Sequence, residues 1–199
     1  MNDFIYKCME SSCVKKSNIT FGAKPLIKVS VLQRLSENAM EFVPKETHIV
    51  EMSYINQQDA KALAVLRNKW VDGKFTEMIC SPSTSEARKI YALTTQCSDL
   101  ENIDTSQVLG LADVNIKNGN ANLRFLQAAP RFVDSPNRPT KNIGKSLIQG
   151  LVEKFRTDGL KSMDLFAEHK LKPFYKKVCP QILDKESTID SCTNLILYL

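Results

Sequence analysis

Metal ligands are scarce in this chain, which has two histidines and six cysteines in 199 residues, none of the cysteines spaced as a CxxC pair. Zinc sites draw three or four ligands, chiefly from Cys and His and often at close paired spacing in structural sites. No metal is expected, and Cys8, Cys13, Cys80, Cys97, Cys179 and Cys192 read as reduced thiols. Also missing is any run near the ~18 apolar residues that a membrane span takes. The opening MNDFIYKCMESSC lacks the basic-then-apolar layout of a signal peptide, so a cytoplasmic protein with no membrane partner is expected. The net charge of +5 comes from dispersed Lys and Arg, which leaves no basic arm for a specific nucleic acid. A mildly basic surface still favours a phosphate-bearing ligand.

What the chain does have is the balance of a soluble globular protein, with 43% hydrophobic and 25% charged residues. Its length suits one well-cored domain. Residues 1–45 carry no sustained period, and within them only PLIKVSVLQRL (25–35) looks capable of regular structure. They read as an extension preceding a domain over 46–199.

From Thr47 the pattern sharpens. His48 to Tyr54 suits a strand, and Asn56 with Asp59 three residues on imitates a capping box. Ala60, Leu63, Ala64, Arg67 and Trp70 then share one helical face up to Gly73, with Trp70 as a core residue. KIYALTT (89–95) is a short strand. Val108, Gly110, Ala112, Val114 and Ile116 alternate with Leu109, Leu111, Asp113 and Asn115, a period of two. The Asn118-Gly119 pair suits a tight hairpin into ANLRFLQAA (121–129). Pro130 ends that strand, and a polar loop runs from Arg131 to Thr140. Leu147, Ile148, Leu151, Val152 and Phe155 keep to one face of a helix that Gly159 stops. SMDLFA (162–167) is a strand, a helix spans about His169 to Val178, and TNLILYL (193–199) is a last buried strand. Helices interleaved with a strand meander imply a mixed α/β sheet.

The segment RPTKNIGKSLIQ (138–149) contains Gly144-Lys145-Ser146, the ending of a nucleotide-binding P-loop. A P-loop also needs a first glycine directly after a buried strand. Here that position is Pro139, which has no amide hydrogen, and a polar loop precedes it. Nucleotide binding is disfavoured. A glycine turn opening a helix remains an anion site, because it aims free amides and the positive end of the helix dipole at one point.

The order of hairpin, loop, glycine turn, helix, strand and short helix containing Pro173-Phe174-Tyr175-Lys176-Lys177 resembles the GNAT-type N-acetyltransferase superfamily. Its pyrophosphate turn, R/Q-x-x-G-x-G/A, is matched by Pro139-Thr140-Lys141-Asn142-Ile143-Gly144, with Asn142 in the place of the first glycine. Phe174-Tyr175-Lys176-Lys177-Val178 is similar to the family's F/L-Y-x-K-x-G-F ending. The resemblance covers residues 47–199, most securely 107–179.

It implies a mixed, mostly antiparallel central sheet flanked by helices, with acetyl-coenzyme A as cofactor. Lys141, Asn142, Ile143, Gly144, Lys145 and Ser146 are the implied pyrophosphate-binding residues. Gln127, Ala128 and Ala129 lie on the strand whose backbone would pair with the pantetheine arm. Tyr175 is the implied general acid for the departing thiolate, leaving Asp113, Asn115, Glu168, His169 or water as the base. Arg131 and Arg138 of the loop are further candidates for the phosphates. The acceptor would be an amine on a small molecule or a protein, and a homodimer is left open. A noncatalytic acyl-coenzyme A-binding or protein-interaction module is the alternative, kept alive by Pro139 and Asn142.

Overall fold

The computed structural model describes residues 20–36, 39–52, 87–129, 132, 138–189 and 192–199. The strands are β1 (Thr20–Arg34), β2 (Phe42–Met52), β3 (Arg88–Thr94), β4 (Asn102–Asp104), β5 (Val108–Lys117), β6 (Asn120–Ala128), β7 (Thr140–Lys141), β8 (Ser162–Glu168), β9 (Leu183–Ile189) and β10 (Cys192–Tyr198). Two α-helices, α1 (Ile143–Thr157) and α2 (Lys172–Val178), complete the described elements with two short 3-10 turns. One sheet holds them in the order β4-β1-β2-β3-β5-β6-β8-β10-β9, with β7 added to β1. Every pairing is antiparallel except that of β6 with β8, which is parallel.

Local chemistry accounts for several boundaries. Asn118 and Gly119 both have positive φ, 54° and 75°, the backbone of a primed hairpin turn whose twist matches the strands it joins. Gly159 sits at φ 73° past the end of α1. Its amide bonds to Arg156 O, and that of Leu160 bonds to Phe155 O, which together close the left-handed helix stop that glycine favours. Pro173 stands in the first turn of α2, where its missing amide costs nothing.

The core lies on both faces of the sheet. Leu147, Ile148, Leu151 and Phe155 of α1 pack with Leu93, Val114, Leu123, Leu165 and Leu195 on one face. Val50, Met52, Ile90, Ala92, Val108 and Leu111 form a smaller cluster on the other. Each such side chain removed from water contributes roughly 1.5–3 kcal/mol, so α1 is the main clamp of the larger cluster.

Three expectations from the sequence need correction. The expected boundary at residue 45 falls inside β2, and β1, placed in the extension, pairs with β2 from Ala23 through Arg34. A register shift between Pro25 and Ile27 and a mostly half-exposed surface blur the alternation of β1, which hid it. Leu109 does not share a face with Asp113 and Asn115. The β3 register steps from Leu93↔Gly110 to Thr94↔Val108, a bulge that turns Leu109 into the larger cluster while Val108 and Leu111 stay in the smaller. Finally, β9 was not expected, because LDKESTI carries no apolar pattern. The expected helix over 56–73, with Trp70, lies outside the described residues, as do Tyr54 and Arg131.

Candidate functional site

The parallel strands β6 and β8 pair only from Asn120↔Ser162 to Leu123↔Leu165. Beyond Leu123 no strand among the described residues lies along that edge of β6, although its other edge stays paired with β5 as far as Ala128. The two strands part, leaving one row of backbone donors and acceptors open to an extended ligand.

The start of α1 stands beside this opening. Asn142 takes the left-handed backbone, φ 65° and ψ 16°, and its side chain does not cap the helix. Asn tolerates this conformation better than most residues. Ser146 N makes the first helical bond, to Asn142 O at 2.8 Å. The amides of Ile143, Gly144 and Lys145 precede that bond and have no partner among the described residues. With the helix dipole behind them they form an anion-binding terminus.

These groups face a cavity of about 340 Å³ lined by Ala128, Phe132, Arg138, Thr140, Lys141, Asn142, Ile143, Gly144, Lys145 and Phe174. Phe174 closes it at Gly144, where a Cβ would meet the Phe174 ring at 3.3 Å. Three cations, Arg138, Lys141 and Lys145, surround it. Lys141 Nζ also lies 3.8 Å from the centre of the Phe42 ring, a cation–π contact that ties the turn to β2.

The N-terminal strand braces the turn. Leu32 and Gln33 of β1 pair with Lys141 and Thr140, and Arg34 N donates to Pro139 O at 2.8 Å. The Ser146 hydroxyl donates to Ser30 O. Pro139 therefore contributes its carbonyl to the brace, and its missing amide removes nothing from the row of donors.

Of the residues expected from sequence, the cavity gathers Ala128, Arg138, Lys141, Asn142, Ile143, Gly144 and Lys145. Ser146 is spent within the protein, both its amide and its hydroxyl being engaged. Gln127 is paired opposite Leu111, and Ala129 is buried in the smaller core cluster. Phe132, Thr140 and Phe174 complete the lining. Thr140 and Phe174 carried a sequence signal, since both belong to the matched motifs, whereas nothing in sequence places Phe132 there.

Tyr175 is buried, 8% exposed, in the larger cluster and packs edge-on against Phe174 with ring centres 5.2 Å apart. Burial pushes its phenol above the usual value, which tightens its hold on the proton. Three of the four side-chain base candidates are engaged, while Asn115 Oδ1 has no hydrogen-bond partner among the described residues. Asp113 pairs with Arg88 Nε at 3.1 Å, Glu168 with Lys170 at 2.6 Å, and His169 Nδ1 with the Thr193 hydroxyl at 2.8 Å.

No family model matches the chain, and no curated protein does. Solved structures do. The GNAT domain of an S. lividans protein, PAT, matches with TM-score 0.50 at 10% identity, over 77% of this chain and 91% of that one. A Lactobacillus plantarum protein assigned as an N-acetyltransferase matches with TM-score 0.50 at 14% identity, over 77% and 98%. The chain has the GNAT fold. The Escherichia coli ribosomal-protein-S18-alanine N-acetyltransferase is a further structural neighbour, with TM-score 0.49 at 12% identity over 76% and 93%. At these identities the likeness is one of fold, and function has to be argued from the site. No helix among the described residues is long and apolar enough to cross a membrane.

Proposed function

We propose that this GNAT-fold protein is an acetyl-coenzyme A-dependent N-acetyltransferase. The observation that carries the reading is the meeting of three free amides, Ile143, Gly144 and Lys145, with the open edge of β6 at one cavity. A diphosphate linked to an extended amide-bearing arm satisfies both at once. Arg138, Lys141 and Lys145 add charge for the phosphates. The cofactor would supply an activated acyl thioester.

The chain's part is to place the acceptor and manage protons. As the amine nitrogen bonds to the carbonyl carbon, the carbon–sulfur bond breaks. Tyr175 gives its proton to the sulfur, and the proton lost by the amine passes to water. Tyr175 carries its phenolic proton at neutral pH with or without the upward push of burial, so it holds the proton this step needs. Catalysis requires the hydroxyl to reach the thioester from a ring now packed behind Phe174. A second reading, acyl-coenzyme A binding without transfer, draws on the same burial, since Phe174 and not Tyr175 lines the cavity.

Calorimetry with acetyl-coenzyme A and ATP in parallel tests the reading. Binding of the former without the latter is expected, and ATP binding with no response to coenzyme A would sink it. Tyr175→Phe is expected to lower turnover by about 100-fold or more while leaving cofactor affinity nearly unchanged. Unchanged turnover would remove Tyr175 from the mechanism, and binding without acetylation of a broad amine panel would favour the second reading.

A further inference from the structure

A second cavity, of about 210 Å³, adjoins the first along Phe132 and Thr140, which line both. Strand register builds its floor. Val31 of β1 is paired with Lys45 of β2, and Gln33 follows Val31 by two residues on the same face of the sheet. The bulge between Leu93 and Thr94 turns Leu109 onto that face, where it joins Val31 in the larger core cluster. Pro139, held to Arg34 by its carbonyl, stands at the side of the turn.

The lining divides by chemistry. Val31, Leu109, Phe132 and Pro139 are apolar, while Gln33, Lys45, Ser106 and Thr140 each carry a side-chain donor. No carboxylate lines the cavity among the described residues. Lys45 is half-buried, and its ammonium has no ion-pair or hydrogen-bond partner among those residues; neither has the Gln33 amide. Glu46, beside Lys45 in sequence, takes the other side of the strand and pairs with Lys28 at 3.2 Å. Thr140 is 7% exposed, and its hydroxyl also lacks a partner among the described residues. Polar side chains so deeply buried are as a rule hydrogen-bonded, so this wall lacks an acceptor.

We propose that this cavity is a second ligand site, which takes a short aliphatic monocarboxylate. A carboxylate offers acceptors alone, the complement of a lining that offers donors and one cation. Its tail meets the apolar wall of Val31, Leu109 and Phe132. The volume sets the length, since 210 Å³ falls below the ~300–1,000 Å³ of sites for drug-sized ligands and suits a carboxylate of about four carbons. An ammonium would meet Lys45 with no acid to receive it, and a dicarboxylate would press its second charge against apolar side chains. The site stands on its own geometry and does not depend on the acyl-transfer reading. Its occupant touches Pro139 and Thr140, the residues that lead into the anion turn.

Ligand-observed NMR on the full chain with butyrate, and with butyramide as the uncharged isostere, tests the proposal. Butyrate is expected to bind at least tenfold more tightly than butyramide, and to stay bound in the presence of saturating coenzyme A. Lys45→Met should weaken butyrate at least tenfold and Lys45→Arg should restore most of the affinity, with coenzyme A binding unchanged in both. Gln33→Met should weaken it about threefold by removing a neutral donor, a second readout should Lys45→Met misfold. Absence of butyrate binding, equal binding of butyramide, or full affinity in the folded Lys45→Met and Gln33→Met variants overturns the proposal. Displacement of butyrate by coenzyme A overturns it too, by placing butyrate at the amides of α1. A wild-type chain that binds butyrate through Lys45 but does not bind coenzyme A would refute the acyl-transfer reading and leave the carboxylate site standing.

Discussion

Asn142 and Tyr175 illustrate how differently single residues disclose their roles. The left-handed backbone of Asn142 follows from its place before a helix and from a side chain that tolerates positive φ, so the turn was open to sequence reasoning. The burial of Tyr175 was not, because its cover comes from elements distant in sequence. That burial has a pH consequence shared with Tyr91, which is 2% exposed and packed edge-on against Phe155. The Tyr91 phenol is raised first by burial and then by the charges of Glu51 and Asp158, and that of Tyr175 by burial. A group whose folded value lies above its unfolded one stabilises the fold below the unfolded value, and that stability is lost as pH rises through the folded one. Urea denaturation should therefore find no loss of stability from these two phenols up to about pH 9. Above about pH 10 it should fall by about 1.4 kcal/mol per pH unit for each phenol kept protonated. Tyr91→Phe should shrink that loss, and an unchanged alkaline slope would count against the assignment.

Among the elements, α1 was the most legible, since its apolar period, its glycine stop and its opening turn are all local features. Its seat on the sheet was not. Gly150 reads in sequence as a weak spot in a helix, yet a Cβ there would overlap the side chains of Ile49 and Val29, the latter at 2.8 Å. The glycine lets α1 lie close on β1 and β2, and the Ser146 hydroxyl bond to Ser30 fixes the same contact. Gly150→Val should destabilise the fold by about 1–3 kcal/mol by overpacking, read as a lowered denaturation midpoint. Because the same helix presents the free amides, coenzyme A affinity should fall with it. The bulge at Leu109 marks a limit of strand reading, because one extra residue reverses which side chains face together and no residue type announces it.

At the scale of the whole molecule, the sheet runs from strands buried on both faces to an exposed edge. Tyr91 to Thr94 of β3 are all buried, whereas Leu183, Asp184 and Lys185 of β9 are exposed, the charged pair blunting an open edge. Hydrogen exchange should thus be slowest in β3 and β5 and markedly faster in β9; equal protection would contradict this ranking. The sequence by itself determined the local units: the Asn-Gly hairpin, the glycine-stopped helix, the strands 162–167 and 193–199, and the turn that suits an anion. Each depends on the backbone preference or hydrophobic period of neighbouring residues. Only the tertiary structure decided that β1 belongs to the sheet and braces the turn, that β6 and β8 part after Leu123, and that Gln33, Lys45 and Leu109 line one cavity. Those facts depend on register and strand order, which arise from pairings between residues far apart in the chain and leave no periodic trace within any one segment.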